Sequence, residues 1–285
     1  MRRGLGLKRE EARLLCQANR ELSRRVASFL DRVGSAREES VTEYLLWQWR
    51  EIDDRFDYLI ANQHSSAKEK TTGADFDLDL WLVGQASATA YLVQAKKFLE
   101  LYDGYRARLN YPEGKPTGSQ LTNLVAHARK TKRLPVYLIY ADEGLTANAL
   151  HVVAAKKIKS RANGKARVSV NEIVGDGLPF ESLFCLPHEA AKQRLIPARV
   201  PVADLPATVL RMRLANQIRH MSQSQRAFYD SHGFVPTMKG AISRPVDASP
   251  VARAAEELEN GEDDSQMRSI AVLDLTLPYR GKQFG

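Results

Sequence analysis

The stretch Phe76-Asp77-Leu78-Asp79-Leu80-Trp81-Leu82-Val83 constrains this chain more than any other, because apolar and polar residues alternate along it with a period of two. Side chains of a β-strand point alternately to its two faces, so the pattern specifies a strand with one apolar face. Phe76, Leu78, Leu80 and Leu82 occupy that face, and Asp75, Asp77, Asp79 and Trp81 share the other. Gly84 and Gln85 open a turn, and Thr89 to Ala95 forms the next strand, so the two pair as a hairpin. Gln94 and Lys96 then share a face with Ala95 opposite, and neighbouring strands lie ~4.8 Å apart. Three acids spaced down one strand repel one another unless cations or solvent compensate. Two readings follow: a site that gathers a cation, or an exposed sheet face whose acids pair with Lys96 and Lys97.

Around the hairpin the chain alternates helix and strand signals. Lys8 to Leu30 reads as a mixed-charge helix ended by Gly34, and a second helix runs from Ser35 to about Ile52 with Val41, Leu45, Trp49 and Ile52 as its buried stripe. Phe56 to Ile60 reads as a strand, and Gln63 to Gly73 as a polar loop. A helix is expected from Ser119 to Arg133, with Leu121, Leu124, Val125 and Ala128 inward. Leu134 to Tyr140 is an apolar run of buried-strand length. From Ser35 to Tyr140 the order is therefore helix, three strands, helix, strand, an α/β core. His151 to Ala154 and Ala166 to Val170 read as further strands around a basic loop, Lys156 to Arg161. Prolines 197, 201 and 206 mark an irregular connection, and Ala207 to Tyr229 reads as a basic amphipathic helix. Glu256 to Asp264 is an acidic linker, and Ile270 to Leu277 a late strand that returns to the body. This divides the chain into an N-terminal helical extension (1–34), a core (35–190) and a C-terminal extension (191–285).

The 285 residues suffice for one large core, or one core and a small appendage. No run approaches the ~20 apolar residues of a membrane helix, and no secretory h-region follows the basic start, so a cytoplasmic protein is expected. Cys16 and Cys185 lack CxxC partners, which gives neither a zinc framework nor a case for a disulfide scaffold. No GxxxxGKS or GxGxxG signature appears, and the six histidines form no metal-ligand cluster. Charge is more informative. Between Phe98 and Arg167 thirteen basic residues face five acids, an excess equal to the whole chain's +8. Arg129, Lys130, Lys132, Lys156, Lys157, Lys159 and Arg161 are the candidates for a face that holds a phosphate backbone; the plain alternative is a solvated surface.

Hydrolysis of a phosphodiester with a bound metal needs oxygen ligands for a hard cation, a positive charge near the phosphate and a positioned water. The hairpin carries residues of all these types. Gly73-Ala74-Asp75, an apolar strand and then Gln94-Ala95-Lys96-Lys97 resemble the Mrr-like branch of the PD-(D/E)XK nuclease superfamily, in which QxK replaces (D/E)XK. They are similar also to a bacterial group combining a GAD strand start with QAKK or QAKR. The resemblance implies a restriction-endonuclease-like core, a central mixed sheet flanked by helices in the order αβββαβ. It implies Asp75 and Gln94 as metal ligands, with Asp77 supporting or replacing Asp75, and Lys96 at the attacking water. Glu39 or Glu43, at i and i+4 of the first core helix, would add an acid. The neutral Gln94 leaves one fewer negative charge than an acidic ligand gives. Gln120 is weighed as a helix-start residue against a ligand.

The implied activity is Mg²⁺- or Mn²⁺-dependent hydrolysis of double-stranded DNA by an endonuclease, in restriction or antiviral defence. A homodimer or a defence-system partner protein is implied besides. The rivals are a catalytically silent nucleic-acid-binding domain of the same fold and a nuclease subunit of a larger defence complex.

Overall fold

The computed structural model describes residues 9–56, 59–63, 77–84, 87–101, 104–107, 109, 120–141, 150–162, 165, 167–185, 194–195, 198–207, 209–210, 212–213 and 269–274. Two helices open the chain, α1 (Arg9–Arg32) and α2 (Glu38–Phe56). The principal sheet is built from β1 (Leu59–Gln63), β2 (Asp77–Val83), β3 (Ser87–Lys97), β6 (Leu134–Tyr140), β7 (Leu150–Ala154), β9 (Leu178–Pro179), β10 (Arg199–Pro201) and β11 (Ser269–Asp274). Its order is β1-β11-β2-β3-β6-β7-β9, with β10 on the first residues of β3. A small second sheet joins β4 (Leu99–Leu101), β5 (Gly104–Ala107) and β8 (Val168–Ser169). The remaining helices are α3 (Gln120–Lys130), α4 (Ala155–Arg161), α5 (Val170–Asp176) and α6 (Ser182–Cys185). The fold is α/β, a mixed sheet flanked by helices.

The alternation in the sequence produces the expected hairpin. β2 and β3 pair antiparallel, with Asp77 opposite Gln94, Asp79 opposite Leu92 and Trp81 opposite Ala90. The chain then crosses over through α3 and returns as β6, parallel to β3, with Gln94 beside Tyr137 and Lys97 beside Tyr140. Period-two geometry divides these strands between two cores. Leu80, Leu82, Tyr91, Val93, Ala95, Val136, Leu138 and Tyr140 pack under α1 and α2. Leu92, Tyr137, Ile139 and Val153 pack under α3, α4 and α5 on the other face. Burial on both faces explains why Leu134 to Tyr140 reads as one unbroken apolar run.

Several boundaries differ from the sequence reading. Phe56 ends α2, and β1 starts at Leu59. Lys156 to Arg161 lies in a short helix rather than a loop, with Ala155 and Ile158 buried. Val168–Ser169 is a two-residue strand, after which Ser169 caps α5 in a capping box with Glu172. The late strand does return to the body: β11 lies between β1 and β2, antiparallel to the first and parallel to the second. The sheet therefore takes β10 and β11 from beyond residue 190. Asp75, the loop 64–73, the acidic run at 256–264 and most of the 207–229 segment lie outside the described residues.

The expectation of no disulfide is corrected. Cys16 on α1 is disulfide-bonded, and the sequence holds one other cysteine, Cys185, at the end of α6. α1 packs on α6, a proximity that no local motif could announce. Among the described residues, no helix is long and apolar enough to cross a membrane.

Candidate functional site

Among the described residues, the end of β3 holds two of the buried polar side chains of the sheet, Gln94 and Lys96. Gln94 and Lys96 are 0% and 1% exposed, and Val93 and Ala95 beside them on the strand are buried apolar residues. They are not the surface of an exposed sheet face. Burying an ammonium costs several kcal/mol unless it is paired and hydrogen-bonded. Lys96 has such a partner: its Nζ lies 3.1 Å from Glu38 Oε2. The other carboxylate oxygen, Oε1, accepts from the backbone N–H of Lys97 at 3.0 Å. One carboxylate thus ties the first turn of α2 to the end of β3.

Glu38, and not only the two glutamates singled out from sequence, belongs in the account. Glu43 is exposed, and the side chain of Glu39 lies outside the described residues. Glu38 is the first residue of α2, in an acidic first turn of the kind that favours a helix N-terminus. That signal is present in Arg37-Glu38-Glu39-Ser40.

Buried hydrogen bonds fix this helix start. Thr42 Oγ1 donates to Glu38 O at 2.9 Å and shares a 2.7 Å hydrogen bond with the Tyr140 hydroxyl. Burial raises the Tyr140 pKa well above the ordinary phenol value; the Thr42 bond opposes that shift and the Glu38 charge adds to it. On the other side of the turn, Lys97 Nζ donates to the carbonyls of Gly34 at 2.7 Å and Ala36 at 3.1 Å.

Of the remaining candidates, Asp77 is the ladder partner of Gln94 and Asp79 that of Leu92, while their side chains lie outside the described residues. Asp75 lies outside altogether. Gln120 is the first residue of α3, which packs on β3 and β6. It is buried, and its Oε1 accepts no hydrogen bond. Trp81 packs among Val83, Ala88 and Ala90, with the Arg133 guanidinium 5.5 Å from its ring centroid. Among the described residues no group of three or more His, Cys, Asp or Glu is arranged to hold a metal.

The basic candidates sit on two helices that pack against each other over the face carrying Leu92 and Ile139. Arg129, Lys130 and Lys132 are exposed at the end of α3, and Lys156, Lys157, Lys159 and Arg161 are exposed on α4. Lys132 adopts a left-handed φ of 56°, and Arg133 N donates to Ala128 O at 2.9 Å to close the helix. They are not equally available. Arg161 makes two hydrogen bonds to Asp176, at 2.5 and 3.2 Å, and Lys157 lies 3.9 Å from the same carboxylate. The Arg161 hydrogen bond is the main reason that Asp176 stays charged below the usual carboxylate range. His127 on α3 is exposed, with its pKa lowered by partial burial and by Arg133 and Lys130. His151 on β7 is buried, which lowers its pKa to about 4.

One family model, described as a family of unknown function (DUF6615), matches residues 15–270. No curated protein and no solved structure matches the chain.

Proposed function

Since the chain belongs to the DUF6615 family of unknown function, its activity must be read from its own residues, and we propose a metal-dependent endonuclease acting on double-stranded DNA. The observation that carries this reading is Lys96. An ammonium at 1% exposure, in the central strand beside the buried Gln94 and held by Glu38, is a costly arrangement that a hydrophobic residue would replace at little loss of stability. A buried ion pair adds little net stability of its own, so the pair points to chemistry rather than to packing.

The donor types suit magnesium or manganese. Asp77 and Gln94 are ladder partners that offer hard oxygen donors, with Asp75 two residues before Asp77 in the sequence. Gln120, whose buried amide oxygen accepts no hydrogen bond, is a further oxygen on a helix packed against the same strand. A bound metal would supply Lewis acidity and a nucleophilic water. Lys96 would orient that water or offset charge on the phosphate, and Glu38 would hold its ammonium in place. The hairpin, the α3 crossover and the parallel β6 agree with the order expected of a PD-(D/E)XK core, to which β11 would be an insertion between the first two strands. The exposed cations of α3 and α4 would hold the phosphate backbone. A role in restriction or antiviral defence rests on the family resemblance alone.

The ion pair also favours a second reading. A lysine already engaged by Glu38 is compatible with a catalytically silent nucleic-acid-binding domain of the same fold. Incubation of the purified protein with plasmid, linear DNA and RNA, with Mg²⁺, with Mn²⁺ and with chelator, separates the two. Metal-dependent cleavage that Lys96→Ala, Asp75→Asn and Gln94→Ala each abolish, and that Gln94→Glu retains, supports the nuclease. Binding without cleavage under every condition supports the silent domain.

A further inference from the structure

We propose that Lys97 is a positioning residue, which holds the turn between α1 and α2 so that Glu38 meets Lys96. The inference rests on the reading of the β3 end as the reactive site, although its geometry is independent of any reaction. Adjacent residues of a strand point to opposite faces, so Lys96 and Lys97 leave β3 on opposite sides. Both nevertheless reach the same five-residue segment. Lys97 Nζ takes the carbonyls of Gly34 and Ala36, Lys97 N takes Glu38 Oε1, and Lys96 Nζ takes Glu38 Oε2. Segment 34–38 is thus gripped from both sides of the strand.

The chemistry explains why a lysine stands there. The turn after α1 leaves carbonyls with no partner of their own in the helix, and a cation near a helix C-terminus is favourable. An ammonium carries three donors on a long flexible stem, enough to serve two carbonyls from one strand position. Beyond Glu38 the same helix start is held again, because Thr42 meets Tyr140, the ladder neighbour of Lys97. The segment is anchored before and after Glu38, and that leaves its carboxylate little room except across the end of β3. Direct contact of Lys97 with a phosphate is the competing role; its ammonium is instead directed at two main-chain oxygens.

The test compares the coupling between Glu38 and Lys96, measured as a double-mutant cycle of Glu38→Gln and Lys96→Met by urea unfolding, in the native background and in Lys97→Met. The coupling should fall by about half or more in Lys97→Met, and Lys97→Arg, which keeps the donors, should restore most of it. If Lys97→Met does not fold, Lys97→Gln takes its place under the same criterion. Where the native protein cleaves DNA, kcat of the Lys97 variant should fall about tenfold or more with KM nearly unchanged. An unchanged coupling, with stability lowered equally across the cycle, would overturn the proposal and leave Lys97 a cap of the turn. A raised KM at constant kcat would overturn it in favour of a phosphate contact. If the native protein cleaves nothing, the nuclease reading fails, and the coupling still decides the role of Lys97.

Discussion

Removing Glu38 should destabilise the protein more than removing Lys96, although each change breaks the same 3.1 Å ion pair. At that separation the Coulomb attraction is about 5 kcal/mol for an effective dielectric of ~20. It offsets the burial of an ammonium that is 1% exposed, whereas the Glu38 side chain is 27% exposed and keeps part of its hydration. Glu38→Gln strips the carboxylate from a charge still buried, which costs roughly 3–5 kcal/mol in such pairs; the exposure of Glu38 places the expected loss near ~3. Lys96→Met keeps the stem, removes the charge together with its desolvation cost, and should lose about 1 kcal/mol. The double variant should be close to Lys96→Met, a coupling of ~3 kcal/mol. Urea unfolding at neutral pH, with the m-value checked for constancy, gives all four free energies. If Glu38→Gln costs no more than Lys96→Met, or the two losses simply add, then Lys96 is not a buried charge that depends on Glu38.

Three further outcomes are expected. Lys156→Gln with Lys159→Gln should weaken DNA binding to any sequence and reduce the log–log salt slope by about 1–2, measured in calcium or chelator. Arg161→Gln should change the slope less because Asp176 already holds that guanidinium, and equal changes in slope would refute this ranking. His151 has its pKa depressed to about 4 by burial, so the stability it contributes is fully present above about pH 6.5 and is lost as pH falls toward 4. That loss is at most ~3 kcal/mol, and His151→Leu should flatten the stability profile in this window; a profile that keeps its slope would refute the assignment. Cys16→Ser should lower stability by about 2–4 kcal/mol under oxidising conditions and have little effect in reductant, and the comparison of melting curves with and without dithiothreitol checks it.

What the sequence made legible followed from periodicity. The β2–β3 hairpin puts Asp77 opposite Gln94, and a one-residue slip would turn Leu80 and Leu82 out of the core. β6 was readable because both of its faces are buried. Helix starts were not resolved to the residue, and a one-residue difference at the start of α2 separates Glu38, which holds Lys96, from Glu39. α4 has two buried residues in seven and shows too little apolar periodicity to distinguish it from a loop. The capping box that starts α5 is written in the sequence as Ser169-x-x-Glu172, although Val168 and Val170 around it suggest a strand. Contacts between distant segments, such as the docking of α1 on α6 or the place of β11, have no local signal at all.

The position of β11 bears on how the protein is made. β2, which carries Asp77, borders β3 on one side and β11 on the other, yet roughly 190 residues of chain separate β2 from β11. At about 5–20 residues per second a ribosome needs ~10–40 s to supply them. During that interval β2 presents an open hydrogen-bonding edge, and parallel pairing across so long a separation is slow to form. The nascent chain is therefore an aggregation-prone template until β11 arrives, and the hairpin bearing Asp77 and Gln94 gains its neighbour on the β2 side only then.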